Sequence, residues 1–209
     1  LGATVAQATG ANTLAHAVNT LCSGAKRCLF RRGETYNSSS RIDLTTGNKY
    51  FGAYGAGAKP IWQDTSASTN NIFIQFDDNL SDFKFVDLDV RGKTDVMNRP
   101  SGIAFDASFT TVIHRALWLR TDVSLFDVAI YPHCGDGAAC NRASTPLDVH
   151  SQIAFGDSTA RHSPGGQPAA ILSNLANIYI SANYFAMAGS MSGDDLEGMI
   201  PQYETMPGS

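Results

Sequence analysis

Three aspartates share one local frame. Asp87, Asp127 and Asp157 each fall at offset 4 of an eight-residue window whose apolar residues sit at offsets 0, 2, 5 and 7. Phe83, Phe85, Leu88 and Val90 fill one such window, and Val123, Leu125, Val128 and Ile130 fill another. A weaker copy holds Ile153, Phe155, Ser158 and Ala160. If consecutive windows stack as neighbouring strands, Asp127 and Asp157 lie about 5 Å apart. Carboxylates separated by about 5 to 9.5 Å serve glycosidases as acid and nucleophile or base. Clustered carboxylate oxygens equally suit a calcium ion, which Asp127 and Asp157 would then hold. An aspartate at a bend also has a plainer use, capping the backbone amides of the turn.

The basic residues that could join these acids are Arg91 and Lys93, then His114, Arg115 and Arg120. Arg115 lies in a stretch, Thr111–Leu119, that alternates outward and inward, so its side chain could face a groove as readily as plain solvent. The catalytic candidates are therefore Asp87, Asp127, Asp157 and Arg115. Tyr54, Trp62, Tyr131, Tyr179 and Tyr184 could stack on sugar rings if they face outward, and are core if they do not. No GxSxG nucleophile turn occurs, and Gly55-Ala56-Gly57 lacks the strand–helix setting of a nucleotide loop.

Four cysteines form two local pairs, Cys22 with Cys28 and Cys134 with Cys140. The short, Gly-rich segment between Cys134 and Cys140 lets the two Cα atoms approach to bridging distance. Two local disulfides imply an oxidising compartment, hence a secreted or periplasmic protein. A zinc site from Cys134, Cys140, His133 and His150 is the alternative for the second pair. Two Asn-x-Ser triplets, Asn37-Ser38-Ser39 and Asn79-Leu80-Ser81, are consistent with secretion but carry no weight by themselves.

The elements that must position these residues are mostly strands. The chain has 209 residues, 43% of them hydrophobic and only 16% charged, which suits one globular domain and excludes a disordered chain. A net charge of −4 leaves no electrostatic footprint for nucleic acid. No run approaches about 20 apolar residues, so no membrane span is expected. The opening residues do not read as a signal peptide. One helix is expected over Ala11–Leu21, where Leu14, Ala17, Val18 and Leu21 keep helical spacing, with Thr9 or Asn12 as its cap and Gly24 beyond its end. After it come short runs of β-branched and aromatic residues bounded by Gly, Asn, Asp, Ser or Pro.

These runs repeat. Windows of the kind described start at 83, 103, 123, 153 and 178, the last with Ile178, Ile180, Asn183 and Phe185. A strand, a bend and a second strand recurring every 20 to 25 residues, with the Cys134–Cys140 loop inserted at one corner where the gap is 30, is the pattern of a solenoid. This frame points Phe85, Leu125 and Ile180 into one continuous core.

The segments Cys28–Tyr36 (CLFRRGETY) and Tyr50–Ile61 (YFGAYGAGAKPI) resemble the opening coils of right-handed parallel β-helix proteins of the pectate-lyase-like superfamily. Asn177–Phe185 is similar to the generic coil of that family, with Asn183 in the place of its stacked turn asparagine. The resemblance implies an all-β chain, a right-handed single-stranded parallel β-helix with an N-terminal capping α-helix. It would be a single domain over 1–209, with the cap at 10–24, coils at 25–185 and a tail or packing segment at 186–209. Lyases of the superfamily use an Arg or Lys as base beside acids or calcium that neutralise a uronate carboxylate. No catalytic signature of a lyase or hydrolase is matched here.

Two functions follow as expectations. The first is a secreted β-helix that binds or processes an extracellular polysaccharide, as a lyase or glycoside hydrolase if it is an enzyme. The second is a structural or adhesive module that assembles with copies of itself into a fibre or sheath, because an uncapped last coil exposes strand edges and the low charge lets like chains approach.

Overall fold

A computed structural model of the chain describes residues 5–24, 26–68, 71–76, 80–93, 101–106 and 113–131, and the backbone of strands within 150–202. Its strands come in sets. The first is β1 (Val5–Ala8), followed by a helical segment, α1 (Leu14–His16), that continues as a π-helical turn over Ala17–Leu21. Next are β2 (Arg27–Arg31), β3 (Thr35–Ser38) and β4 (Ile42–Leu44), then β5 (Lys49–Tyr54), β6 (Ile61–Asp64) and β7 (Ile72–Phe76). They are followed by β8 (Leu80–Val86), β9 (Asp89–Arg91) and β10 (Ser101–Asp106), and by β11 (Ile113–Leu119) with the long β12 (Asp122–Tyr131). The last sets are β13 (His150–Gly156), β14 (Thr159–His162) and β15 (Ala170–Ser173), then β16 (Leu175–Ala176), β17 (Tyr179–Ser181), β18 (Tyr184–Met187) and β19 (Met199–Gln202).

Every described pairing is parallel. The first strand of each set joins one sheet in the order β1-β2-β5-β8-β11-β13, with β16 and β17 both on β13. The remaining strands form a second sheet, and β12 bridges its two halves. Residues Asp122–Ser124 of β12 pair with β9 and β14, whereas Phe126–Tyr131 pair with β10, and Ile130 with β15.

Alternation within the strands explains the core. In β2, Cys28 and Phe30 point in while Arg27 and Arg31 are exposed; in β8, Phe83 and Phe85 point in while Lys84 is exposed. Pairing then stacks like positions, so that Cys28, Phe51, Phe85, Trp118, Phe155 and Ile180 occupy one column. The rings of Phe51 and Phe85, and of Phe85 and Trp118, lie 5.4 Å apart and nearly parallel. Trp62, Phe76 and Phe105 meet this stack edge-on from the second sheet. Stacked and edge-on pairs each contribute about 0.5–1.5 kcal/mol beyond area burial.

The windows at 83, 153 and 178 stand in register, because Phe85, Phe155 and Ile180 share the column. Those at 103 and 123 do not. The counterpart of Phe83, Phe85 and Val90 in the next set is Ala116, Trp118 and Val123. Buried Thr121 stands at the third place, where its hydroxyl donates to the Phe85 carbonyl at 2.9 Å. Leu125 is consequently not core. It is 39% exposed, at φ 62°, where β12 turns from one half of the sheet to the other and its register shifts.

The helical segment is also shorter than its apolar spacing predicts. Its cap is Thr13, whose hydroxyl accepts the His16 N–H, rather than Thr9 or Asn12. Leu14, Ala17 and Val18 are buried as expected, but the π-helical turn, closed by the Cys22 N–H donating to the Ala17 carbonyl, leaves Leu21 38% exposed. The Cys22–Cys28 disulfide ties this segment to β2, with Cα atoms 5.5 Å apart. Cys134 and Cys140 lie outside the described residues.

Candidate functional site

Among the described residues, the bends that follow β2, β8 and β11 use left-handed backbone. Gly33 stands there after β2, Asp87 after β8 and Arg120 after β11, at φ 77°, 58° and 49°. Asp87 and Arg120 are neighbours in register, and the Asp87 carboxylate accepts both Nε (2.6 Å) and a terminal nitrogen (3.2 Å) of Arg120. Arg32 reaches the same carboxylate at 3.2 Å. Hydrogen bonds from Arg120, against an opposing burial cost, hold the Asp87 carboxyl below the usual range.

Arg115 does not join Asp87. It lies within β11 at φ 55° and grips Asp82 of β8 with two hydrogen bonds, 2.7 and 2.8 Å. Those bonds lower the Asp82 carboxyl and raise the Arg115 guanidinium. Arg91 is occupied by Asp89, and Lys59 by Asp122 at 2.8 Å. Asp127 belongs to the half of β12 that pairs with β10, where the register sets it beside Gly102 and not in line with Asp87. Its side chain, and the whole of Asp157, lie outside the described residues, and with them the calcium pair. Among the described residues no three His, Cys, Asp or Glu gather in a metal-holding group. A general acid needs a carboxyl raised toward the working pH. Asp87, held ionised by Arg120, is the opposite case.

The aromatics divide similarly. Trp62 is core at 1% exposure, and the Tyr54 hydroxyl donates to the Ala8 carbonyl at 3.2 Å. The side chains of Tyr131, Tyr179 and Tyr184 lie outside the described residues.

A different set of residues makes a concave surface. On the outer face of β2, β5 and β8 a groove of about 390 Å³ is floored by Tyr50 and edged by Lys26, Arg27, Lys49 and Lys84. Pairing places Tyr50 between Arg27 on one strand and Lys84 on the next. Its ring folds along the strand over Gly52, where any Cβ would overlap it. The Arg27 guanidinium sits over that ring, 5.4 Å from its centre. Lys49 donates to the carbonyls of Cys22 and Ser23, each at 2.8 Å, and burial lowers its ammonium pKa. Asp82 is the one carboxylate among the described residues lining the groove, and Arg115 neutralises it.

Lys26, Arg27 and Lys84 thus line the groove with one aromatic ring and a neutralised aspartate, while the Lys49 ammonium is held by backbone carbonyls, in a chain whose net charge is −4. Such a surface can hold an anion. Among the described residues it has no second carboxylate beside Asp82. None of Lys26, Arg27, Lys49, Tyr50 or Lys84 stands out in the sequence, because only the strand pairing assembles them. No family model matches the chain, and no match was found among curated proteins or solved structures.

Proposed function

We propose that the chain is a secreted right-handed parallel β-helix, similar to the pectate-lyase-like proteins, whose outer groove binds an anionic extracellular polysaccharide. The observation that carries this reading is the placement of Tyr50 between Arg27 and Lys84 on adjacent strands. Neighbouring strands lie about 4.8 Å apart, close to the advance of one pyranose along an extended glycan. A sugar chain running across the strands therefore meets a cation, a ring and a cation in turn. Strands stacked set upon set in parallel support the solenoid, and the Cys22–Cys28 pair supports an oxidising compartment. Binding, rather than cleavage, is what the groove's chemistry favours.

The test is retention on a panel of uronic-acid, sulfated and neutral polysaccharides at two salt concentrations. Selective, salt-weakened retention of acidic glycans is expected, reduced about tenfold by Lys84→Glu, equivalent to about 1.4 kcal/mol. Equal retention of neutral and acidic glycans, or none on the panel, would overturn the proposal.

A further inference from the structure

The triplet Asn37-Ser38-Ser39 gains a meaning from its place in β3. Alternation along this strand turns Tyr36 and Ser38 into the protein and leaves Thr35 and Asn37 exposed. Ser38 is 4% exposed, and its hydroxyl donates to the Ser40 carbonyl at 2.8 Å, which bends the chain out of the strand. Ser39, at that bend, is exposed. The residue across from Asn37 is Gln63, whose amide is turned away to donate to the carbonyls of Arg91 and Gly92. Among the described residues, neither the Asn37 amide nor the Ser39 hydroxyl is engaged in a side-chain hydrogen bond. Both groups required of an N-glycosylation acceptor thus face solvent, while the residue between them is core-facing.

We infer that Asn37 is a modification site, the acceptor of an N-linked glycan. The transfer joins the Asn37 side-chain nitrogen to the anomeric carbon of a lipid-diphosphate-linked oligosaccharide. The bond from that carbon to the diphosphate oxygen breaks, the amide loses one proton, and the lipid diphosphate leaves. The Ser39 hydroxyl is the second element of the acceptor triplet. After folding, a glycan on Asn37 extends from the outer face of the second sheet and displaces no packed side chain. Asn37 lies on β3, not on the β2, β5 or β8 strands that carry the groove, so the modification and the ligand do not compete.

This inference rests on the extracellular reading above, and its test separates the two. The full chain is expressed behind a supplied cleavable signal peptide in a eukaryotic secretory host, so entry into the pathway does not depend on that reading. Glycopeptide mapping of the secreted protein, with peptide:N-glycosidase digestion, is expected to show Asn37 occupied and converted to aspartate on release. Asn37→Gln and Ser39→Ala should each carry one N-glycan fewer than wild type, whereas Ser39→Thr should keep it. Asn79→Gln should leave occupancy of Asn37 unchanged. An unmodified Asn37 in the secreted wild-type protein would overturn the inference and leave the binding proposal standing. The mapping needs only wild type, so poor secretion of a variant does not blunt it.

Discussion

Asp82 and Arg115 both adopt left-handed backbone, φ 67° and 55°, at neighbouring positions of β8 and β11, and there close a two-pronged salt bridge. Because Phe83 pairs with Ala116, the two bends nest one on the other and send both side chains to the same side. Asn48, immediately before the Lys49–Phe83 pair, continues the series at φ 58°. Asn and Asp tolerate this conformation through local hydrogen bonding, but Arg has no such allowance. The prediction is that Arg115→Gly is better tolerated than Arg115→Ala, since both lose the ion pair and only Ala keeps the left-handed penalty. Denaturant melts of the two variants decide it; equal midpoints would show that the bend imposes no constraint.

Asp87 gives a pH prediction. Its carboxyl is depressed by hydrogen bonds from Arg120 and by the charges of Arg120, Arg32 and Lys59. A depressed folded pKa means that the stabilisation is complete above the unfolded value of about 3.9 and is lost as pH falls through the lower folded value. Asp87→Asn keeps a residue that accepts positive φ and removes the charge. Its melting temperature should lie below wild type at pH 7, by an amount reflecting about 1 kcal/mol or less for this solvent-screened cluster. The two curves should converge toward pH 2; a gap that persists there would assign the loss to something other than charge.

Tyr36 gives the alkaline counterpart. Its hydroxyl donates to the Ala8 carbonyl at 2.9 Å and accepts the Arg31 N–H at 2.8 Å, joining β1, β2 and β3 at one point. Tyr36→Phe leaves the Arg31 N–H without that acceptor, while Tyr54 still donates to Ala8. A loss of about 1–3 kcal/mol is expected in denaturant unfolding. Burial raises the phenol well above its ordinary value, so its contribution is complete below about pH 10 and is lost as pH rises toward the folded value. Tyr36→Phe should therefore lose less stability than wild type between neutral and strongly alkaline pH. Parallel curves would contradict the assignment.

The Cys22–Cys28 bridge closes a short loop between the helical segment and β2, and both sulfurs are buried. Its replacement by two alanines should cost about 2 kcal/mol from the chain-entropy estimate for so short a loop. The Cys134/Cys140 double replacement is expected to cost less, because the sequence repeat sets those residues in an inserted loop rather than at an end of the core. Thermal melts of the two double variants rank them, and the reverse order would place the holding point in the insertion.

What the sequence disclosed, and what it withheld, follows from the stacking. Apolar alternation in Phe83–Val90 and Ile178–Phe185 is local, so both runs were legible and fell in register. The set between β8 and β13 was hidden because Ala116 and Thr121 are weakly apolar and the second half of β12 carries a stronger pattern of its own. Long-range pairs were out of reach for a related reason. Asp87 meets Arg120 only if the spacing from β8 to β11 is counted correctly, and Arg27, Tyr50 and Lys84 meet only if two such spacings are. Residue types announced that charges and aromatics were present; the loop lengths decided which ones became neighbours.

The sharpest test of the observed register compares Trp118 with Leu125. Trp118 is 1% exposed and is surrounded by Phe76, Phe85 and Phe105, with ring centres 6.3, 5.4 and 5.6 Å away. Trp118→Ala should therefore cost about 3–5 kcal/mol through lost burial and the cavity left behind. Leu125 stands instead at a bend, 39% exposed and at φ 62°. Leu125→Ala should change stability by no more than about 0.5 kcal/mol, as a surface substitution does. Leu125→Gly goes further, because glycine's entropy cost of about 0.5–1 kcal/mol is set against about 1–2 kcal/mol of relieved left-handed strain. The glycine variant should match or exceed wild type in urea unfolding. If Leu125→Ala instead lost several kcal/mol while Trp118→Ala did not, the windows at 83 and 123 would be in register after all, and the stacking of Phe85 on Trp118 would be wrong.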